Sequence, residues 1–600
     1  VEPASLPVQR FFILDLRLML LLLVIIIIIF HREANSRMSL FASLKDLLKY
    51  SEPKNRNDFE LLENSDESSS RQKQGEASFD RIGQSNASTT EKDKKPTRDN
   101  ILQELEANIE RMSSEFHMPV NTDIIIRRFK ISRSINACIL FIDGMVDKKT
   151  INDFILKPLM LSEILSDLKD NCLTDHIADD IITVTHIIRE KEYSKVIGHV
   201  LSGYTAIFID GCEECLVVEN QGFEKRNVDK PITENVIRGS QEGFNESLRT
   251  NITLLRKIVR NKNLVTEIIH IDKTANTNCA LLYIDGIANQ TVIKEVKRRL
   301  AGLNTAYISG SGMLEGLISD HTLMPFPQIM TTERPDRAAS YIMDGKVILI
   351  VDGIPFVSSI PTSFFETIQS PEDFSLKWQF ASFLRYIRMT ALYITLLLPG
   401  LYVAITTYHQ EMIPTELLNS IVKSRENVPF PTIVEIILLE TAFELIREGG
   451  IRTPGALGNT LGIVGALILG QAAVQAQLVS PVLIIVVAIT GISGFAIPSY
   501  SMSFTIRLLR FVFIFFAAIA GFWGISVAIV IVLGLACSLR SFGVPYLVPI
   551  APKTKANVDV ISLFPPYKQK LRPDYINSPN KYESGKTTEE WIEGKEKDNK

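Results

Sequence analysis

The sequence predicts an α/β N-terminal cytoplasmic domain of two related subdomains, followed by an α-helical polytopic membrane domain. Three observations predict it. Uncharged apolar runs crowd between about Ala381 and Pro549. From Ile101 onward, short β-branched runs alternate with helical patterns, the signature of an α/β fold. A strand, an Asp-Gly turn and an amphipathic helix follow one another twice in that N-terminal part.

Composition bounds the reading. A chain of 600 residues is too long for one domain. A net charge of −4 with 22% charged residues leaves no broad basic field, so nucleic acid is not an expected partner. The six cysteines, at 138, 172, 212, 215, 279 and 537, are scattered rather than arranged as a secreted disulfide framework. That usage fits a reducing compartment and places the α/β part in the cytoplasm.

The first segment, Val1–Arg37, carries a thirteen-residue apolar core, Leu18–Phe30, after Asp15 and Arg17. That length suits a signal-like core better than a full span. The sequence HREANSRM follows it without an A-x-A-like site, and Met38 is the first start-like methionine after the run. Translated upstream sequence, a membrane anchor and a signal-like segment all remain open. Residues 38–100 are expected to form a flexible polar linker. Ser51–Asn100 is rich in Ser, Asn, Asp, Glu and Lys and cannot bury enough apolar surface to offset its chain entropy.

Residues 101–237 are expected to form the first subdomain. Thr122–Ile126, Cys138–Ile142, Ala206–Ile209 and Leu216–Val218 read as its strands, and Thr150–Leu168 as a helix. Residues 238–380 are expected to hold a connecting helix and the second subdomain, with strands at Glu267–Ile271 and Ala280–Ile284 and a helix at Gln290–Leu303. The internal echo is NACILFIDGMVDKKTINDFILKPL (136–159) against NCALLYIDGIANQTVIKEVKRRL (278–300). Each is expected to be followed by a strand–Asp-Gly–strand hairpin, at 204–219 and at 339–353, because Gly tolerates the positive φ of a tight turn.

The joint, RGSQEGFNESLRTNITLLRK (238–257), has helical spacing, with Phe244, Leu248, Ile252 and Leu255 on one face. It reads either as a connecting helix on the domain surface or as a docking helix for a neighbouring subunit. On the docking reading the contact residues are Arg238, Phe244, Asn245, Leu248, Arg249 and Asn251.

Catalytic signatures are weak. Cys212-Glu-Glu-Cys215 matches C-x-x-C, but it falls in an expected hairpin turn and has no second cysteine pair to complete a four-ligand site. Gly310-Ser-Gly312 lacks phosphate-loop spacing and reads as a strand-to-helix turn. Asp175, His176 and His186 have no metal-ligand spacing. An enzyme, a cofactor and a metal are therefore not expected.

Residues 381–549 form the expected membrane domain. Met389–Tyr408, Leu461–Val479, Pro481–Pro498 and Phe511–Leu539 carry no charge. Runs of about 18 or more such residues can cross a ~30 Å hydrocarbon core as helices. Arg385 and Arg388 mark the cytoplasmic start of the first, and Arg507 and Arg510 another cytoplasmic edge. Ile413–Val428 reads as an interfacial helix. Pro431–Arg447 carries Glu435, Glu440 and Glu444, and the 3.6-residue period puts Glu440 and Glu444 near one face. Those carboxylates face either a bundle interior or the headgroup region. In Gly455–Ser480, Gly458, Gly462 and Gly465 permit close helix packing. Asn459, Gln471 and Gln475 there suit either a water-lined pathway or helix–helix hydrogen bonding. Residues 550–600 form a basic, then polar, C-terminal tail on the cytoplasmic side. Five full spans would leave that tail outside, so either the glutamate helix does not cross or Phe511–Leu539 bends back near Gly521–Gly524.

Four segments carry a resemblance: 238–257, PFPQIMTTERPDRAASYIMDGKVILIVDG (325–353), IREGGIRTPGALGNTLGIVGALILGQAAVQAQLVSP (446–481) and LRSFGVPYLVP (539–549). Together they resemble the A subunit of the GerA-family spore germinant receptors, over about Asp123 to Asp574. In SPEDFSLKWQF (370–380), Phe374 and Ser375 stand where that family is expected to have tyrosines.

The resemblance implies a multi-pass protein of the endospore inner membrane with its N-terminal domain in the cytoplasm. It implies a complex with a transporter-like B subunit that senses the nutrient and a lipoprotein C subunit. It also implies a homo-oligomer of A subunits enclosing a nutrient-gated ion pathway; residue type and helical spacing, as given above, supply Glu440, Glu444, Asn459, Gln471 and Gln475 as pore or bundle-interior candidates. Two alternatives stay open: a non-conducting scaffold for a transporter-like partner, and a stage V sporulation AF-type paralogue.

Overall fold

The structure is a computed structural model. It describes residues 99–161, 173–222, 231, 233–234, 236–452, 470–554, 561–566 and 569–583.

The first subdomain is a five-stranded antiparallel sheet with helices on both faces. Its elements are α1 (Leu105–Glu115), β1 (Ile124–Ile131), β2 (Ile135–Ile142), a helical segment α2 (148–161), a second one α3 (173–181), β3 (Ile187–Glu190), α4 (Tyr193–Leu201), β4 (Thr205–Ile209) and β5 (Cys215–Val218). The strand order is β1-β2-β4-β5-β3. Side chains alternate across β2 as a pleated strand requires. Cys138, Leu140 and Ile142 pack with Leu105, Ile109 and Val196 of α1 and α4, while Ala137, Ile139 and Phe141 pack with Ile151, Ile155 and Ile177 of α2 and α3.

The second subdomain repeats this plan. It contains α5 (Leu248–Ile258), β6 (Leu264–His270), β7 (Asn278–Ile284), α6 (Gln290–Ala301), α7 (Ser311–Ile318), β8 (Met330–Thr332), α8 (Pro335–Asp344), β9 (Val347–Val351) and β10 (Val357–Ile360). The order β6-β7-β9-β10-β8 is the same first-second-fourth-fifth-third arrangement. The two related subdomains expected from the sequence are present.

The repeat reaches further than the echo in the sequence. Leu105 N–H donates to the Asp210 carboxylate at 3.3 Å, and Leu248 N–H to that of Asp352 at 3.2 Å. Asn108 bonds both backbone groups of Leu102, and Asn251 both backbone groups of Asn245. Thus α5 is the counterpart of α1, the first helix of its subdomain. This corrects the surface connecting helix: eight residues of α5, from Leu248 to Arg256, are buried.

The expected hairpin at 339–353 is also corrected. Pro335 opens α8 and Gly345 closes it at φ +98°, the Pro-first, Gly-last pattern of a helix. Asp352-Gly353, not Asp344-Gly345, is the counterpart of Asp210-Gly211. The four Asp-Gly turns at 143, 210, 285 and 352 place their glycines at φ +79° to +86°, where a Cβ is disfavoured. At the linker boundary, Asp99 and Asn100 already belong to subdomain 1: the Asp99 carbonyl accepts Tyr193 N–H at 2.9 Å, and Asn100 bridges to Glu192.

The C-terminal part is helical. Its elements are α9 (Trp378–Thr407), α10 (Thr415–Arg425), α11 (Thr432–Arg452), a helical stretch at 470–475, α12 (Pro481–Phe495) and α13 (Tyr500–Ser538). Two of these, α9 and α13, are long and apolar enough to cross a membrane. At fifteen residues, α12 reaches only ~22 Å, because Pro498 disfavours continuation of the helix.

The chain reverses inside α13. Ala520 and Gly521 leave helical geometry, and Gly521 adopts φ +57°. The Gly524 backbone lies against the Phe516 carbonyl, leaving no room for a Cβ. In a straight helix those residues would be ~12 Å apart. The Tyr408 hydroxyl lies 2.7 and 2.8 Å from the Ala518 and Ile519 carbonyls and donates to that pair. The bend-back reading is therefore the one found.

The returning arm leads through β11 (Arg540–Ser541) and β12 (Val544–Pro545) into subdomain 2. The expected tail folds there too. Arg572 Nε donates to the Met343 carbonyl at 2.8 Å, Asn289 Nδ2 to the Asn577 carbonyl at 2.9 Å, and the Tyr575 hydroxyl to Glu366.

Candidate functional site: a buried ion-pair cluster in the helical body

The carboxylates of α11 divide as helical spacing predicts. Glu435 turns one way: Ser480 N–H donates to it at 3.0 Å and Arg425 pairs with it at 3.4 Å. Glu440 and Glu444 turn the other way, toward the first arm of α13. Arg510 reaches both, Glu440 at 2.9 Å and Glu444 at 2.9 Å. Arg507 donates to Glu444 at 2.8 Å, and Arg447 lies 3.5 Å from it. The Glu440 and Arg510 side chains are 1% and 3% exposed.

The arginines read as a cytoplasmic edge are thus the partners of the membrane glutamates. Arg507 and Arg510, three apart, share a helix face, as do Glu440 and Glu444, four apart. In this cluster each carboxylate is met by a guanidinium group. The cluster fixes α11 against α13, and any relative movement of those helices must break it.

The amide candidates lie differently. Gln471 and Gln475 are exposed on the helical stretch at 470–475, and Asn459 lies outside the described residues. Among the docking candidates, Phe244, Leu248 and Asn251 are buried, Asn245 is half-buried, and Arg238 and Arg249 are exposed. Arg249 pairs within the chain, 3.1 Å from Asp143.

Further ion-pair sites went unread in the sequence, two of them just ahead of α9. Asp373, fully buried ahead of α9, takes Arg385 at 2.9 Å and Arg388 at 2.8 Å. Glu366 takes Lys346 and the Tyr575 hydroxyl.

The cysteine motif has no chemistry of its own. Cys212, in the turn before β5, and Cys215, at the start of β5, are not in a disulfide. Burial pushes the Cys212 thiol up to about 11 and Cys215 well above its ordinary value, opposite to what a reactive thiolate needs. Among the described residues no three His, Cys, Asp or Glu side chains are grouped to hold a metal ion.

The profile of the Bacillus/Clostridium GerA spore germination protein family matches residues 110–575. Spore germination protein KA of Bacillus subtilis (strain 168) is 40% identical over 469 residues, 78% of this chain and 86% of that protein. Spore germination protein GerLA of Bacillus cereus is 35% identical, over 80% of this chain and 97% of that protein. The crystal structure of the N-terminal domain of the A subunit of the Bacillus megaterium spore germinant receptor GerK3 is 30% identical, with a TM-score of 0.36, over 45% of this chain and 98% of that one. The chain belongs to the GerA family of spore germination proteins.

Proposed function

We propose that this chain is the A subunit of a nutrient germinant receptor in the spore inner membrane. On this reading it is multi-pass, oligomerises with copies of itself and forms an ion pathway. It assembles with a transporter-like B subunit and a lipoprotein C subunit, and nutrient binding in the partner opens the pathway.

One observation carries the reading: the returning arm of α13 continues into the α/β domain with no slack. Ser541 Oγ donates to the Gln328 carbonyl at 2.6 Å, Phe542 N–H to the Asp320 carboxylate at 2.9 Å, and Phe364 N–H to the Tyr546 carbonyl at 2.9 Å. A partner that shifts the cytoplasmic domain therefore pulls on the helices themselves. The exposed amides Gln471 and Gln475 supply an uncharged polar face for a neighbouring copy or a water path. Spores deleted for this gene should fail to release cations in response to the nutrient their receptor reads, and the parent gene should restore release. Unchanged release in the deletion would remove the reading.

The neutralisation of Glu440 and Glu444 by arginine favours a second reading, a non-conducting scaffold. Removing Asp123–Ser370 abolishes assembly on both readings, but only a conducting subunit has a flux to lose.

A further inference from the structure

We propose that α7 and the loop after it rest on the bilayer, as an interfacial anchor for the membrane-proximal rim of subdomain 2.

The helix is apolar on two sides. Leu314 and Ile318, four apart, are 1% exposed and sit in the subdomain core. Met313 and Leu317, also four apart, form a second ridge and are 40% and 42% exposed. Tyr307 before the helix and Leu323 after it are 58% and 56% exposed. A helix apolar on both sides meets apolar surroundings on both.

The outward side also lacks charge. From Gly302 to Gln328 the chain holds no Lys or Arg, and its carboxylates are Glu315 and Asp320. Both turn inward. Glu315 accepts the N–H groups of Gln328 and Ile329 at 3.0 and 3.3 Å. Asp320 accepts from Arg299 at 2.6 Å and from Phe542 N–H at 2.9 Å.

Position selects the occupant. The Thr505 hydroxyl, near the start of α13, donates to the Pro325 carbonyl. Phe326 is buried in the same apolar cluster as Leu392 and Ile506 of the helical body, and Met324 packs against that cluster. The loop after α7 therefore joins the apolar core of the helices, with Pro325 only eight residues beyond the ridge residue Leu317. An apolar ridge flanked by an aromatic at that level suits the headgroup–acyl boundary. With no basic side chain, attachment comes from apolar burial, and salt should not release it.

This proposal rests on the membrane reading but not on the receptor role. The test uses the full chain in phospholipid nanodiscs with a benzophenone amino acid in place of Leu317, and separately in place of Ile489 of α12. Ile489 is 44% exposed on the helical body and serves as the lipid-facing reference. The expected result is a phospholipid adduct at Leu317 within about threefold of the yield at Ile489, unchanged at high salt. An adduct at Ile489 with none at Leu317, or a Leu317 crosslink to a second copy instead of lipid, overturns the anchor alone. No lipid adduct at either position overturns both the anchor and the membrane reading beneath it.

Discussion

Arg256 of α5 and Asp123 ahead of β1 form a two-pronged ion pair across the joint between the subdomains. Nε and Nη2 of Arg256 each lie 2.8 Å from a different carboxylate oxygen, and the side chains are 1% and 6% exposed. Asn121 and Thr266 complete the set, each accepting from Nη2, at 3.1 and 3.2 Å. The buried pair locks two copies of one fold together. Arg256→Met would leave Asp123 buried without its counter-charge, at a cost of about 3–5 kcal/mol. Arg256→Lys should recover only part of it, because an ammonium lacks the fork. Thermal unfolding of the detergent-solubilised chain measures both.

Arg510 and Glu440 make the same kind of contact in the helical body, 2.9 Å apart and both nearly unexposed. Arg510→Leu should strongly reduce the yield of folded protein, since Glu440 and Glu444 both lose a partner. The exchange Glu440→Arg with Arg510→Glu should restore much of it, because the pair is re-formed with its sign reversed. Folded yield in a size-exclusion profile is the readout.

How much of this was legible depended on sequence distance. Most of the strands and the apolar helices are local patterns and were read; the short strands β3, β8 and β10 were not. The pairing of Glu440 with Arg510 spans seventy residues of sequence, and helix-face arithmetic on either segment could not join them. The equivalence of α5 and α1 was missed because most of the aligned positions diverge, leaving L-x-x-N-I at 105–109 and 248–252, with the leucine N–H on an aspartate and the asparagine on the backbone in both. The strand–Asp-Gly–strand misreading at 339–353 arose because an Asp-Gly pair serves a hairpin and a helix C-terminus equally well.

The reversal in α13 makes Gly524 irreplaceable. A Cβ there would lie 1.9 Å from the Phe516 carbonyl oxygen, so Gly524→Ala should force the arms apart. Gly521→Ala, at φ +57°, should cost less, about 1–3 kcal/mol of backbone strain. With the reversal intact, single cysteines replacing the exposed Tyr500 and Ser538, in a background with the exposed Cys537 replaced by Ser, react with an impermeant thiol reagent from the same side of the membrane. Labelling from opposite sides would contradict the hairpin.

Glu315 gives a pH dependence. Burial raises its carboxyl above the ordinary carboxylate range. A raised folded-state value means that its stability contribution is present at low pH and is lost as pH rises through that value. Glu315→Gln keeps an acceptor for the Gln328 and Ile329 N–H groups without a charge to bury. The variant should match the parent in acid and exceed its Tm at neutral pH, in a melting series from about pH 4 to 8.

The measurement closest to the central claim is monovalent-cation leak from liposomes holding the purified oligomer, with and without Gln475→Leu. The account predicts a leak from the parent, reconstituted with its partner subunits and supplied with the nutrient, that falls when the exposed amide is replaced by an apolar side chain. No leak from any oligomeric form, with or without partner subunits, would contradict it.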